Sequence, residues 1–206
     1  LFATGLFIAK MSESPQGALY NLLIACPFTH FLPIGFNMSL SLYDTTVPVF
    51  KQMLLALSDV LKKAEAQAQE RQYDPAHLLQ TRLFPNMLPF VRQVQIACDF
   101  AKSVSARVAG IEVESYEDSE QSFAELQERI TKTLAVLDAM TAAQFEGGAD
   151  KQIVLRPGTP KEKTLTGQDY VLRYGLPQFF FHVTTAYNLL RHNGVEIGKK
   201  DFMGAY

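Results

Sequence analysis

The chain has 206 residues, enough for one domain with a sizeable core or two small ones. Its 48% hydrophobic and 19% charged residues are ordinary for a globular protein and exclude a disordered one. The net charge is −2, with Lys and Arg scattered rather than gathered into a basic patch, so no nucleic-acid partner is expected.

Residues 1–37 differ from everything after them. They hold only Lys10 and Glu13 as charges and are broken by Pro15, Pro27 and Pro33. Their longest apolar run, Ala18 to Cys26, is interrupted by Asn21 and falls well short of the roughly 20 residues a membrane span needs. Leu23-Ile24-Ala25-Cys26 matches a lipoprotein cleavage box, but Met11 to Gly17 supplies no basic charge ahead of the apolar stretch, as an export leader requires. The expectation is an extension outside the fold, no membrane attachment, and a domain over residues 38–206. Only two cysteines occur, Cys26 and Cys98, in very different segments. That is too few for a disulfide scaffold and fits a reducing, cytoplasmic compartment.

Helix 1 is predicted from about Asp44 to Arg71. Its apolar residues, from Val47, Phe50 and Leu54 through Leu61 to Ala68, repeat at three and four and form one stripe. Pro48 is tolerable only near the first turn. Asp74-Pro75 reads as the N-cap and first position of a short helix through Leu79. Pro85 and Pro89 bracket a bend, and helix 2 follows to about Ala109, with Cys98 as a small buried hydrophobe and Gly110 closing the end. Ser122-Phe-Ala-Glu125 is a capping box that opens helix 3, which continues to about Met140.

Between Lys151 and Thr166, two β-prone stretches flank the turn-rich Arg156-Pro157-Gly158-Thr159-Pro160, which predicts a short hairpin or extended loop. Thr166 caps helix 4, which ends at Gly194. Leu176 to Val183 is almost continuously apolar, so this helix is expected to be buried on every side, and Pro177 is expected to kink it. The fold class that follows is all-α, an up-down-up-down four-helix bundle with a hairpin or extended loop before helix 4.

Catalytic motifs are mostly missing: the sequence has no Gly-rich phosphate loop, His-Glu-x-x-His, Cys-x-x-Cys or Gly-x-Ser-x-Gly. Polar residues on apolar faces remain. Gln178 and His182 stand four apart on helix 4, and Gln95 flanks the helix 2 stripe. Buried polar groups need partners, so these three either bond one another or bind a ligand. A histidine satisfied by Gln178, Gln95 or Tyr174 is the simpler arrangement.

The same residues carry a family resemblance. Phe179-Phe-Phe-His182-Val-Thr-Thr-Ala-Tyr-Asn-Leu-Leu-Arg-His-Asn-Gly194-Val, together with Leu155-Arg-Pro-Gly-Thr-Pro160 and Gly198-Lys-Lys-Asp-Phe-Met-Gly204, resembles a branch of the DinB-like (YfiT-type) superfamily whose members lack an assigned function. The resemblance implies a four-helix fold, often dimeric, with a pocket in which three histidines hold a metal. His182 matches one of those positions, while Gln178 and Gln95 (or a neighbour) stand at the other two. It therefore implies a degenerate metal pocket, holding either no cofactor or a single divalent transition metal at His182. The function expected is a small-molecule-binding or structural homodimer, against a metal-dependent thiol-S-transferase or hydrolase that uses His182.

Because residues 1–37 offer no stripe to dock on the helices, a chain beginning at Met38 is expected to melt within a few degrees of the full one. A fall of more than about 10 °C would show that the extension packs on the core, since ~1 kcal/mol moves the midpoint of such a domain by only ~2–8 °C.

Overall fold

The structure is a computed structural model that describes residues 40–206 apart from Val113. The expected 1–37 extension and the Cys26 box lie outside the described residues.

The first long helix, α1 (Leu42–Glu70), starts two residues earlier than expected because Ser41 caps it, its hydroxyl accepting from the Asp44 N–H at 3.1 Å. Pro48 therefore sits a full turn inside the helix. It lies on the exposed flank, where water can satisfy the carbonyl that loses its partner. A short α2 (Ala76–Leu79) follows, with Asp74 accepting from the Ala76 N–H. Next come α3 (Phe90–Ala109), ended by Gly110 at φ 75°, and α4 (Phe123–Asp138), capped by Ser122. The capping box is shifted by one residue: Ser122 takes the Glu125 N–H, but the Glu125 carboxylate reaches the N–H of Gln121.

The predicted hairpin is present as β1 (Gln152–Leu155) and β2 (Lys163–Thr166), antiparallel with Ile153 opposite Leu165. Ile153 and Leu155 point into the core. Thr166 caps α5 (Gly167–Tyr170), which passes through a π turn over Val171–Gly175 into α6 (Leu176–His192). A π turn stands just ahead of Pro177. Leu176 N–H donates to Val171 O, five residues back, so the helix widens just ahead of Pro177. A last helix, α7 (Lys199–Met203), lies on α1.

The described residues are thus mostly helical with one small two-stranded sheet. The core forms where α1, α3, α4 and α6 meet, around Phe50, Phe90, Phe123, Ile130 and Phe179. The expectation that α6 is buried on every side fails at Phe181, which is 54% exposed, and at half-buried Phe180.

The helix directions also differ from the up-down-up-down expectation. Lys51 pairs with Asp138 and Ser58 bonds Gln127, so α1 and α4 are antiparallel. Phe50 meets Phe179 and Gln67 reaches the Gly194 carbonyl, so α1 and α6 run the same way. Phe90 meets Phe123 and Asp99 pairs with Arg129, so α3 and α4 also run the same way. A parallel pair of neighbours needs a crossover link as long as the helix. The 20 residues of α3 span about 30 Å, and the dozen or so between Gly110 and Ser122 can cover roughly that distance only when extended.

The returning segment is held by side chains. Lys102 donates to the Glu114 carbonyl at 3.0 Å and lies over the Tyr116 ring. Arg129, 2% exposed, donates to the Glu117 carbonyl, Glu120, Asp99 and Asp118, all at 2.9–3.0 Å. Arg92 pairs with Asp118, and Gln95 donates to Glu120. Burial alone would raise the Glu120 carboxyl, but the Arg129 and Gln95 hydrogen bonds overcome it and hold the group below its ordinary value.

Replacing Arg129 by Ala would leave Glu120 without its buried cation and the returning segment without its main anchor. The expected loss is about 3–5 kcal/mol in urea unfolding. A loss below about 1 kcal/mol would mean that Lys102 and Arg92 hold the segment on their own.

Candidate functional site

His182 lies on the face of α6 that meets α3. Gly175 brings the start of α6 close to α3, since a Cβ there would sit 2.8 Å from both methyl groups of Val104. About two turns later, the His182 ring is buried, with Nδ1 at 2.8 Å from Gln93 Oε1. The Gln93 Nε2 donates to the Leu88 carbonyl at 2.9 Å. A carbonyl can only accept, so the amide must present its oxygen to the ring, and Nδ1 must carry the proton. The chain of donors is therefore His182 to Gln93 to Leu88, and Nε2 keeps its lone pair. Phe100 lies nearly parallel to the imidazole at 6.0 Å, and Phe181 meets it edge-on at 5.2 Å. Burial pushes the His182 pKa down to about 4, so the ring is neutral at pH 7.

The other two expected pocket residues lie elsewhere. Gln95 is buried, but its amide donates to Glu120 at 2.6 Å and accepts from Arg92 at 2.7 Å, on the side of α3 that faces α4. Two residues on a helix are separated by about 200°, which is why Gln93 and not Gln95 meets His182. Gln178 is half-buried and borders a surface recess with Arg173, Tyr174, Pro177 and Phe181. Among the described residues, no group of three or more His, Cys, Asp or Glu side chains is placed to hold a metal ion. A single imidazole with amide neighbours is a poor donor set for zinc and similar ions, so the residues present do not fit the metal that the resemblance implies.

Gln93 was missed because it flanks the α3 stripe on the opposite side from Gln95. Its signal was a polar residue on a helix that has neighbours on three sides. Cys98 is the small buried hydrophobe that was expected: it is fully buried, and burial pushes its thiol up to about 12.

A buried neutral histidine makes stability pH-dependent. Above pH 6.5 neither the folded nor the unfolded chain protonates it. Between pH 6.5 and about 4 the unfolded chain takes up the proton more readily, so folding weakens as pH falls through that window. The stability advantage of the parent chain over His182→Gln is expected to shrink by on the order of 3 kcal/mol from pH 7 to pH 4. An advantage that stays flat or grows in acid would show that the ring is charged in the folded state.

Comparison with known proteins agrees with the sequence motifs. The family model described as "Domain of unknown function (DUF1993)" matches residues 42–203. No curated protein matches the chain. Among solved structures, the crystal structure of a DinB family member protein from Shewanella denitrificans is similar at 43% identity and a TM-score of 0.76, covering 80% of this chain and 93% of that one. With its family model spanning most of the described residues and a DinB family member this similar over nearly its whole length, the chain belongs to the DUF1993 family and is DinB-like.

Proposed function

We propose that this protein is a metal-independent, small-molecule-binding homodimer built on a four-helix bundle of up-down-down-up direction, whose ancestral-type metal pocket is reduced to His182. The observation that carries this reading is the His182–Gln93–Leu88 chain. Every link in it is neutral, and it ends on a backbone carbonyl, as in a satisfied core network. A catalytic base is generally tuned towards the working pH, whereas burial moves His182 away from it.

The dimer is supported by apolar surface on the α6 side of the molecule. Leu172, in the π turn leading into α6, is 46% exposed, and such a side chain is commonly covered by a second copy.

Two measurements on the purified protein test this reading. Elemental analysis should find less than about 0.1 zinc, nickel or iron per chain, because one imidazole binds such ions weakly. Light scattering at micromolar concentration should return about twice the 23.0 kDa chain mass. Near-stoichiometric metal that disappears in His182→Ala would overturn the proposal in favour of the metal-dependent transferase or hydrolase.

A further inference from the structure

The hairpin turn and the π turn together build a basic recess of about 220 Å³. Arg156, Lys161 and Lys163 come from the hairpin, Arg173 from the π turn, and Tyr174 forms one wall. No carboxylate lines it. Among the described residues only one of the four cations has an ion-pair partner, Arg173 with Asp169 at 3.2 Å. Glu162, which lies between the two lysines in sequence, is turned away to accept the Gly158 N–H at 2.6 Å. Arg156 takes a left-handed backbone conformation, φ 50°, held by the Thr159 N–H and hydroxyl on its carbonyl. Such a conformation in a non-glycine residue persists only where its surroundings impose it.

Three cations without an ion-pair partner among the described residues line one recess, and an anion is the group whose charge complements them. The recess also has a continuation. A second hollow of about 370 Å³ shares Arg173 and Tyr174 with it and adds Pro177, Gln178 and Phe181. Tyr174 is held from behind by Phe100 and Tyr170, with ring centroids 5.9 and 5.8 Å away. One end of the groove is therefore cationic, and the other offers an aromatic floor and an exposed phenyl ring. Small-molecule sites combine these two elements, an apolar surface with a few convergent polar groups.

We infer that this groove binds a small molecule with an anionic head, phosphate or carboxylate, seated among Arg156, Lys161, Lys163 and Arg173, and an apolar or aromatic body lying along Tyr174 and Phe181. The inference deepens the small-molecule reading above and rests on it. It explains why the hairpin is so basic in a chain whose net charge is −2. It also gives Gln178 a place at the ligand's flank rather than at a metal.

Calorimetry on the full chain at low salt, with phenyl phosphate, benzoate, inorganic phosphate and benzyl alcohol as probes, tests this. Phenyl phosphate should bind at least about tenfold more tightly than inorganic phosphate, because it adds a ring that lies on the apolar hollow. Benzoate binding as tightly as phenyl phosphate would assign the head to carboxylates, and weaker benzoate binding would assign it to phosphates; either supports the groove. Lys161→Gln/Lys163→Gln should weaken phenyl phosphate at least about tenfold with an unchanged melting temperature. Phe181→Ser should abolish the advantage over inorganic phosphate. Equal weakening by the charge-matched pair Lys199→Gln/Lys200→Gln on α7 would reduce the effect to overall charge and overturn the site. Heat from benzyl alcohol with none from phenyl phosphate would overturn the anionic head and leave small-molecule binding standing. No heat from any probe would overturn both, while the metal and dimer measurements still decide the status of His182.

Discussion

Arg129 carries the structure's most demanding constraint. Because α3 and α4 run in the same direction, the chain between them has to retrace the length of a helix. Residues 114–121 do so without regular secondary structure, so their backbone groups need partners from elsewhere. Arg129 and Lys102 reach out from α4 and α3 to the carbonyls of Glu117 and Glu114 and supply two of them. The cluster is balanced in charge, with Arg92, Lys102 and Arg129 facing Asp99, Asp118 and Glu120. Four of the five guanidinium donors of Arg129 are used, and only its Nε lacks a partner. Burying the charges of Arg129 and Glu120 gains little net stability by itself, whereas removing one partner leaves the other buried and uncompensated.

Fixing α3 against α4 on one side leaves its opposite side for α6, and the candidate site follows from that contact. The absence of a side chain at Gly175 lets α6 approach Val104. The π turn before Pro177 then sets which residues of α6 face α3. With that rotation, Phe179 and His182 point inward while Phe181 points out, so the three consecutive phenylalanines divide between core, boundary and surface. The aromatic contacts Tyr174–Phe100–His182 link the buried histidine to the wall of the basic groove.

Much of this was legible in the sequence. The helix spans, the Ser122 and Thr166 caps, the Gly110 and Gly194 ends and the hairpin all arise from interactions within a few residues, and local chemistry is what a sequence displays directly. The DinB-like membership was legible in the Phe179–Val195 and Leu155–Pro160 motifs for a different reason, namely residue-by-residue likeness. His182 as an inward polar residue was legible because its neighbours on the helix are apolar.

Three features were decided only by tertiary structure. Helix direction was one: the length of the Gly110–Ser122 link permits a crossover but does not require it, and the choice is made by contacts between residues 30 or more apart, such as Asp99 with Arg129. The partner of His182 was another. Gln93 and Gln95 are equivalent in chemistry and flank the same apolar stripe from opposite sides, and only the rotation of α3 against α6 turns one to the histidine and the other to Glu120. The basic groove was the third, because Arg173 joins the hairpin cations only once the π turn is packed beside them. The sequence determined the elements and the family, because both depend on neighbours along the chain. The faces those elements present to one another depend on packing between distant segments, and that is where the site is made.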